Sequence, residues 1–353
     1  MGNQAIKGRG AISRPHGRYA TQNFEPDATQ ASDGDNPPTS LRAMRCKSIV
    51  SRNDSPDVPF DFSINPYLGC EHGCVYCYAR PSHSYLDLSP GLDFETRIFY
   101  KANAVELLLE HWSRNDYACA PITIGANTDP YQPAEKKLEI TRKLLKTFLE
   151  YRHPVSLITK GGLMTRDLDL LGELARNRLC SVAVSVPTMS DPLKRILEPR
   201  VPSAAIRFQL MASLAAAGVP VSLLLAPIIP AVNDNEIEDI VHSAARAGAT
   251  HAAWILLRLP HELKQLFPEW LETHMPERAA HVMSLLRAAS GGKDYDARFT
   301  IRQRGRGPYA SLINQRFTAA CKREGLVAGR SRQDLDCSQF RRPGGAQMAL
   351  AFD

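Results

Sequence analysis

No stretch of this 353-residue chain approaches the ~20 consecutive apolar residues that a membrane-spanning helix requires, so an integral membrane protein is not expected. The opening MGNQAIKGRGAISRPHGRYATQ lacks the apolar core of a secretory signal, and the expected location is cytoplasmic. Ten histidines contain no HExxH and no paired ligand spacing, which argues against a helix-borne zinc hydrolase site. Neither GxGxxG nor a P-loop occurs, so nucleotide binding through a phosphate-cradling loop is not indicated. Eight cysteines in a cytoplasmic chain read as metal ligands and core thiols, not as disulfides.

What is present is ordinary globular composition, 44% hydrophobic and 23% charged. The net charge of +6 is uneven. Residues 1–50 carry 7 basic and 4 acidic side chains, residues 51–292 carry 24 and 27, and residues 293–353 carry 12 and 6. A basic end on an acidic body either attracts a polyanion or docks on that body.

Residues 1–55 are rich in Gly, Pro, Ser, Asn and Asp, and QASDGDNPPTS cannot bury enough apolar surface to fold alone. They are expected to form a largely disordered arm. From about residue 60 the pattern alternates between short β-branched runs and amphipathic helices. Strands are expected to start near 62, 121, 154, 181, 219 and 251, with Gly218 capping the helix SAAIRFQLMASLAAAG. Six strand–helix units at roughly 30-residue spacing argue for parallel strands with helical crossovers. The expected fold is therefore α/β, a partial (βα)6 TIM-like barrel over residues 56–290, with a basic C-terminal extension over 291–353 packing on or beside it.

Cys70, Cys74 and Cys77 stand in NPYLGCEHGCVYCYAR as Cys-x3-Cys-x2-Cys, just after the first strand. In βα barrels the chemistry lies at the C-terminal ends of the strands, where this loop falls. Three thiolates can hold three irons of a four-iron cluster, and with no fourth cysteine nearby one iron stays open. The alternative is a zinc site completed by His72 or His83. The lack of a second CxxC knuckle and the place of the loop weigh toward a cluster.

The stretches CEHGCVYCYAR, ITIGANTDPYQPAE, LITK, VAVSVPT and LEPRVPSAAIRFQLMASLAAAG resemble the spore-photoproduct-lyase-like branch of the radical S-adenosylmethionine (radical SAM) superfamily. The likeness spans roughly residues 60–260 and is greatest to a subgroup with an added arm and a tail ending like QMALAF. It implies that Cys70, Cys74 and Cys77 ligate a 4Fe–4S cluster whose open iron binds SAM. It implies that Tyr76 lies near the adenine, that Asn127, Thr128 and Asp129 approach the methionine amino group, and that Lys160 and Ser185 contact the carboxylate or ribose. Arg200 is a further candidate at the rim. Asp129 and Lys160 have the chemistry that a zwitterion needs, an acceptor for its ammonium and a cation for its carboxylate.

The implied activity is reductive cleavage of SAM to a 5′-deoxyadenosyl radical, driven by an external electron donor of flavodoxin or ferredoxin type. The substrate is open, with nucleic acid repair or modification one reading. Spore photoproduct lyase returns a hydrogen atom from a cysteine beyond its second strand. Here the matching position falls at or next to Asn127, and Cys119 belongs at the far end of the barrel. Cys321 or Cys337 from the tail could supply a thiol; Cys46, Cys119 and Cys180 read as buried or incidental. In the tail, Arg298, Arg302, Arg304 and Arg306 beside Phe299 and Tyr309 could bind nucleic acid or could dock onto the barrel. The contrasting reading is a non-catalytic nucleic-acid-binding protein clipped by a cluster or zinc.

Overall fold

The computed structural model describes residues 5–19, 37–329 and 334–344. All six expected strands form. They are β2 (Phe62–Ile64), β3 (Ile122–Ile124), β4 (Val155–Thr159), β5 (Cys180–Ser185), β6 (Val221–Ile228) and β7 (His251–Leu256). Each pairs in parallel with the next, so the sheet follows chain order. Two short edges extend it: β1 (Val50–Arg52) antiparallel to β2, and β8 (Val327–Ala328) parallel to β7.

Period-2 alternation sets the faces of the strands. On β4, Val155, Leu157 and Thr159 are buried, while Ser156 and Ile158 are half-buried and line the barrel interior. On β6, Val221, Leu223 and Leu225 are buried, and Ser222, Leu224 and Ala226 line the interior. The buried set meets helices whose apolar residues recur three and four apart. In Ile140–Glu150 these are Ile140, Leu144, Leu145 and Phe148; in Ile237–Arg246 they are Ile237, Ile240, Val241 and Ala244. The helix Ala204–Ala216 ends as expected, with Gly218 at φ +78° and its N–H bonded to the Ala215 carbonyl (2.9 Å). No helix of the described residues is long and apolar enough to cross a membrane.

Part of the arm expected to be disordered, and the QMALAF tail, lie outside the described residues. The described stretches of the arm are built into the body. Ser40–Met44 pairs in parallel with Arg97–Lys101 in a small second sheet. Arg9, Gly10 and Ala11 are buried behind the cysteine loop. A Cβ on Gly10 would lie 1.8 Å from the Gly73 carbonyl oxygen, so only glycine allows this approach.

The basic extension packs on the barrel. Its helix Pro308–Arg323 lies against Ile237–Arg246, joined by the paired hydrogen bonds of Arg316 to Glu238 (2.6 and 2.9 Å). Residues 334–344 cross the end of the barrel opposite the cysteine loop, and Leu335 lines the interior there. Phe340 fills an aromatic cluster with Trp112, Tyr117 and His153.

His153 is fully buried and stacked on Trp112, with ring centroids 4.5 Å apart. Its Nδ1–H donates to the Pro154 carbonyl (2.9 Å), which leaves Nε2 to accept from the Tyr117 hydroxyl (2.6 Å). Burial pushes the imidazole down to about 3 from its ordinary value of 6.5. The unfolded chain therefore binds this proton first. The contribution of neutral His153 to stability is complete above pH 6.5 and is lost as the pH falls through that value toward 3. Between pH 7.5 and 4.5, wild type should lose about 2 kcal/mol more unfolding free energy than His153→Phe. Denaturant titration at the two pH values tests this, and equal losses would refute it.

Candidate active site

The cysteine loop runs from Gly69 to Cys77, between the end of β2 and a short helical turn at Arg80–Leu86. Gly69 (φ +79°) and Gly73 (φ +67°) take left-handed conformations that fold the loop back on itself. Arg80, wholly buried, holds it from behind, donating to the carbonyls of Cys74 (2.9 Å), Gly73 (3.2 Å) and Gly91 (2.9 Å). Its charge is met by Glu95, also wholly buried, which accepts from the backbone N–H groups of Gly10 (3.0 Å) and Ala11 (2.8 Å) as well. On another side the Gln132 amide clamps Glu71 N–H (3.0 Å) and the Gly69 carbonyl (3.2 Å).

Cys70, Cys74 and Cys77 face a cavity of about 860 Å³ that runs down the barrel interior. Tyr76, Asn127, Asp129, Lys160 and Ser185 line the same cavity. The ends of β3, β4 and β5 thus bring together the residues that the sequence singles out there. Thr128 and Arg200 do not line it. The Thr128 hydroxyl donates to the Tyr67 carbonyl (2.8 Å) and holds the strand end. Arg200 lies against the outside of the cysteine loop, bonded to Glu71 (3.1 Å) and the Gly8 carbonyl (3.3 Å).

Asp129 is more committed than the sequence suggests. Its carboxylate accepts from Thr159 Oγ1 (2.6 Å), Tyr131 N–H (2.9 Å) and Lys160 N–H (2.7 Å), stapling β3 to β4. Burial alone would raise its carboxyl, but His72, Lys160 and Thr159 outweigh burial and hold it well below the carboxylate range. His72 Nδ1 lies 3.4 Å from Asp129 Oδ2, close enough to attract but misaligned for a hydrogen bond, and has no hydrogen-bond partner among the described residues. The Lys160 ammonium likewise makes no hydrogen bond there. Burial works against its charge, but Cys74, Glu198 and Asp129 outweigh this and keep it above its ordinary range.

Glu198 and Arg207 lie in the stretch LEPRVPSAAIR but are not among the residues singled out there. Both are wholly buried and form an ion pair beneath Tyr76, whose hydroxyl donates to Glu198. Arg207 also donates to the Ser185 carbonyl (2.8 Å), while the Ser185 hydroxyl donates to the Ala226 carbonyl (3.1 Å). Their spacing matches no motif; only the fold brings them under the cysteine loop.

The donor set fits a cluster. Among the described residues no three His, Cys, Asp or Glu side chains converge on a point that could hold one metal ion, as zinc requires. His83, offered as a zinc ligand, is buried beside Phe94 and donates from Nε2 to the Arg97 carbonyl (3.0 Å). Three separate thiols around one cavity, two buried and that of Cys77 half-buried, suit a group with a metal for each.

Residues 64–244 match the family model described as the radical SAM superfamily. The uncharacterised proteins Rv2578c of Mycobacterium tuberculosis and Mb2609c of Mycobacterium bovis are each 34% identical over 245 residues, 69% of this chain and 72% of theirs. Among solved structures, spore photoproduct lyase superposes with a TM-score of 0.60 at 16% identity, covering 82% of this chain and 81% of that one. A variant of the same lyase, solved with AdoMet and dinucleoside spore photoproduct bound, also gives 0.60, at 15% identity and 82% coverage of both chains.

Removing one member of the Arg80–Glu95 pair strands the other charge in the core. Glu95→Gln should lower unfolding free energy by about 3–5 kcal/mol. It should also speed alkylation of the three loop thiols by iodoacetamide in cluster-free protein. A variant with wild-type stability and wild-type labelling would show that the pair does not hold the loop.

Proposed function

Because the chain belongs to the radical SAM superfamily, we propose that Cys70, Cys74 and Cys77 ligate a 4Fe–4S cluster and that SAM occupies the cavity mouth beside them. The observation that carries this is the shared cavity: the buried thiols of Cys70 and Cys74, the half-buried thiol of Cys77, an ammonium without a hydrogen bond at Lys160 and the side chain of Asn127 face one space at adjacent strand ends. Cys70, Cys74 and Cys77 would hold the cluster, which would supply, from an external donor of flavodoxin or ferredoxin type, the electron for reductive cleavage of SAM to methionine and a 5′-deoxyadenosyl radical.

The residues of the chain do the positioning. Lys160 offers its ammonium to the methionine carboxylate. Asp129 keeps Lys160 in place by binding its backbone N–H, and so acts on the ligand through the lysine. The Asn127 side chain is exposed to the cavity while its own N–H is held by Asn65 Oδ1 (2.7 Å), which leaves the amide to a ligand. Tyr76 presents a ring fixed through Glu198 and Arg207. The barrel walls exclude water from a reactive radical.

The reading as a clipped nucleic-acid-binding protein has less support. Three of the four tail arginines are engaged by the protein itself: Arg298 with Asp296 (2.6 Å), Arg302 with Asp57 (2.5 Å) and Arg304 over the Trp254 ring (4.6 Å). A metal clip also leaves the cavity without a purpose. A substrate taken into the barrel accounts for it.

Anaerobically reconstituted protein with dithionite should release 5′-deoxyadenosine from SAM. Cys74→Ala should lose both that product and most of the iron and sulfide; a full cluster in this variant would remove Cys74 from the ligand set. Lys160→Met should keep its iron yet bind SAM about 10- to 100-fold more weakly, the value of a charged hydrogen bond. Unchanged SAM affinity by equilibrium dialysis would take Lys160 out of the SAM site.

A further inference from the structure

The inward-facing side chains of the barrel form tiers, and the tiers are unusual. In closed βα barrels these positions hold bulky branched residues and fill the interior. Here the middle tier is mostly small: Gly125, Ile158, Ala183, Leu224 and Ala253. The tier farther from the cysteine loop carries a hydroxyl on five adjacent strands: Ser63, Thr123, Ser156, Ser181 and Ser222. Strand register sets Ser63, Thr123, Ser156 and Ser181 in one row, with Ser222 beside Ala183, one step along the stagger. Thr123 and Ser156 bond each other (2.7 Å). The Ser63 and Ser181 hydroxyls have no hydrogen-bond partner among the described residues, and both face the cavity. The five hydroxyls form a charge-free ring, in which those of Ser63 and Ser181 can donate to or accept from a ligand.

At the other end, Arg258 follows β7 and lines the mouth. Its guanidinium lies 4.3 Å from the centroid of the Tyr78 ring, and the Tyr78 hydroxyl donates to the Ala126 carbonyl. Arg258 has no carboxylate partner among the described residues. The other guanidiniums on the cavity wall are paired, Arg52 with Asp54 (3.3 Å) and Arg302 with Asp57 (2.5 Å). A guanidinium seated over an aromatic ring and without a carboxylate partner among the described residues is available to an oxyanion.

We propose that the barrel interior is a substrate chamber for an elongated molecule with an oxyanion at one end, bound by Arg258, and an uncharged hydrogen-bonding group at the other, bound by the hydroxyl ring. The middle tier takes the thin apolar stretch between them. Six residues of strand separate Ser222 from Ile228, the neighbour of Leu256 near the top of β7, a span of about 20 Å at most. The substrate thus passes beneath the proposed SAM position and offers unactivated C–H bonds to it. This rests on the radical SAM reading only for that last point; the binding itself does not need SAM.

The test is a calorimetric titration of the anaerobically reconstituted full chain. The probes are 12-hydroxydodecanoate, 12-hydroxydodecyl phosphate, dodecanoate, and 1,12-dodecanediol. One or both of the first two should bind, and which one binds tells carboxylate from phosphate. Dodecanoate and the diol, each lacking one end, should bind at least 10-fold more weakly. Arg258→Gln should weaken the bifunctional probe about 10- to 100-fold. Ser181→Ala should weaken it several-fold while leaving dodecanoate unchanged. Arg298→Gln, on the surface, controls for general charge, and thermal melts check folding. No binding of either bifunctional probe, equal binding of dodecanoate, or full affinity in Arg258→Gln would each overturn the proposal. Release of 5′-deoxyadenosine by wild type, measured separately, tells failure of the chamber from failure of the radical SAM reading.

Discussion

The buried carboxylate of Glu95 is the constraint on which the cysteine loop depends. A loop that carries three thiols must expose them on one side and satisfy its own carbonyls on the other. Arg80 does the second task, and a buried guanidinium is tolerable only beside a buried anion. Glu95 supplies that anion and then uses its remaining lone pairs on Gly10 and Ala11. One carboxylate thereby ties the N-terminal arm, the helical turn after the loop and the loop itself into a single unit. A polar network of this kind gives direction more than stability: its partners fit only when every one is in place. The thiols are aimed into the cavity because the back of their loop cannot move.

The strand order and the cysteine loop were legible because they are written locally. Short β-branched runs, amphipathic helices and a glycine stop each occupy one continuous stretch of sequence, and all six strands appear where their patterns place them. The placement of Asn127, Lys160 and Ser185 on the cavity follows from the same logic, since a residue just past a parallel strand has nowhere else to go. Thr128 shows the limit: it adjoins Asn127 in the bend past β3, but its hydroxyl turns to the Tyr67 carbonyl and away from the cavity. Arg200 failed for another reason. It stands in a promising stretch, yet Glu71 and the Gly8 carbonyl claim it, and neither partner can be chosen from sequence. Glu198, two residues earlier, is the residue that reaches toward the site.

Long-range ion pairs also decide the reading of the basic tail. Composition records only the charge excess. Arg302 finds Asp57 across 245 positions, and Arg304 lies over Trp254. Arg316 closes on Glu238. The excess of arginine near the C-terminus is matched by acidic and aromatic groups of the barrel, so much of it serves to seat the extension. That seating has a structural consequence, because the extension brings Leu335 to the end of the barrel interior and Phe340 into the aromatic cluster beside it. Leu335 lines the cavity at the end opposite the cysteine loop.

The placement of the remaining cysteines limits the chemistry that such a cavity can complete. Among the described residues only Cys70, Cys74 and Cys77 line it. Cys180 starts β5 with its thiol donating to the Leu171 carbonyl (3.2 Å), outside the barrel interior. Cys321 is buried in the helix Pro308–Arg323, and Cys119 stands beside Cys337 of the tail, away from the cavity wall. A thiol that returned a hydrogen atom to a substrate radical would have to come from the proposed cluster ligands, where the sulfur is already committed to metal. Asn127, at the position where the sequence comparison looks for such a thiol, has no hydrogen to give of comparable bond strength. Under the proposed radical SAM reading, a reaction in this barrel ends on an oxidised product or takes its hydrogen from a group other than a free cysteine thiol.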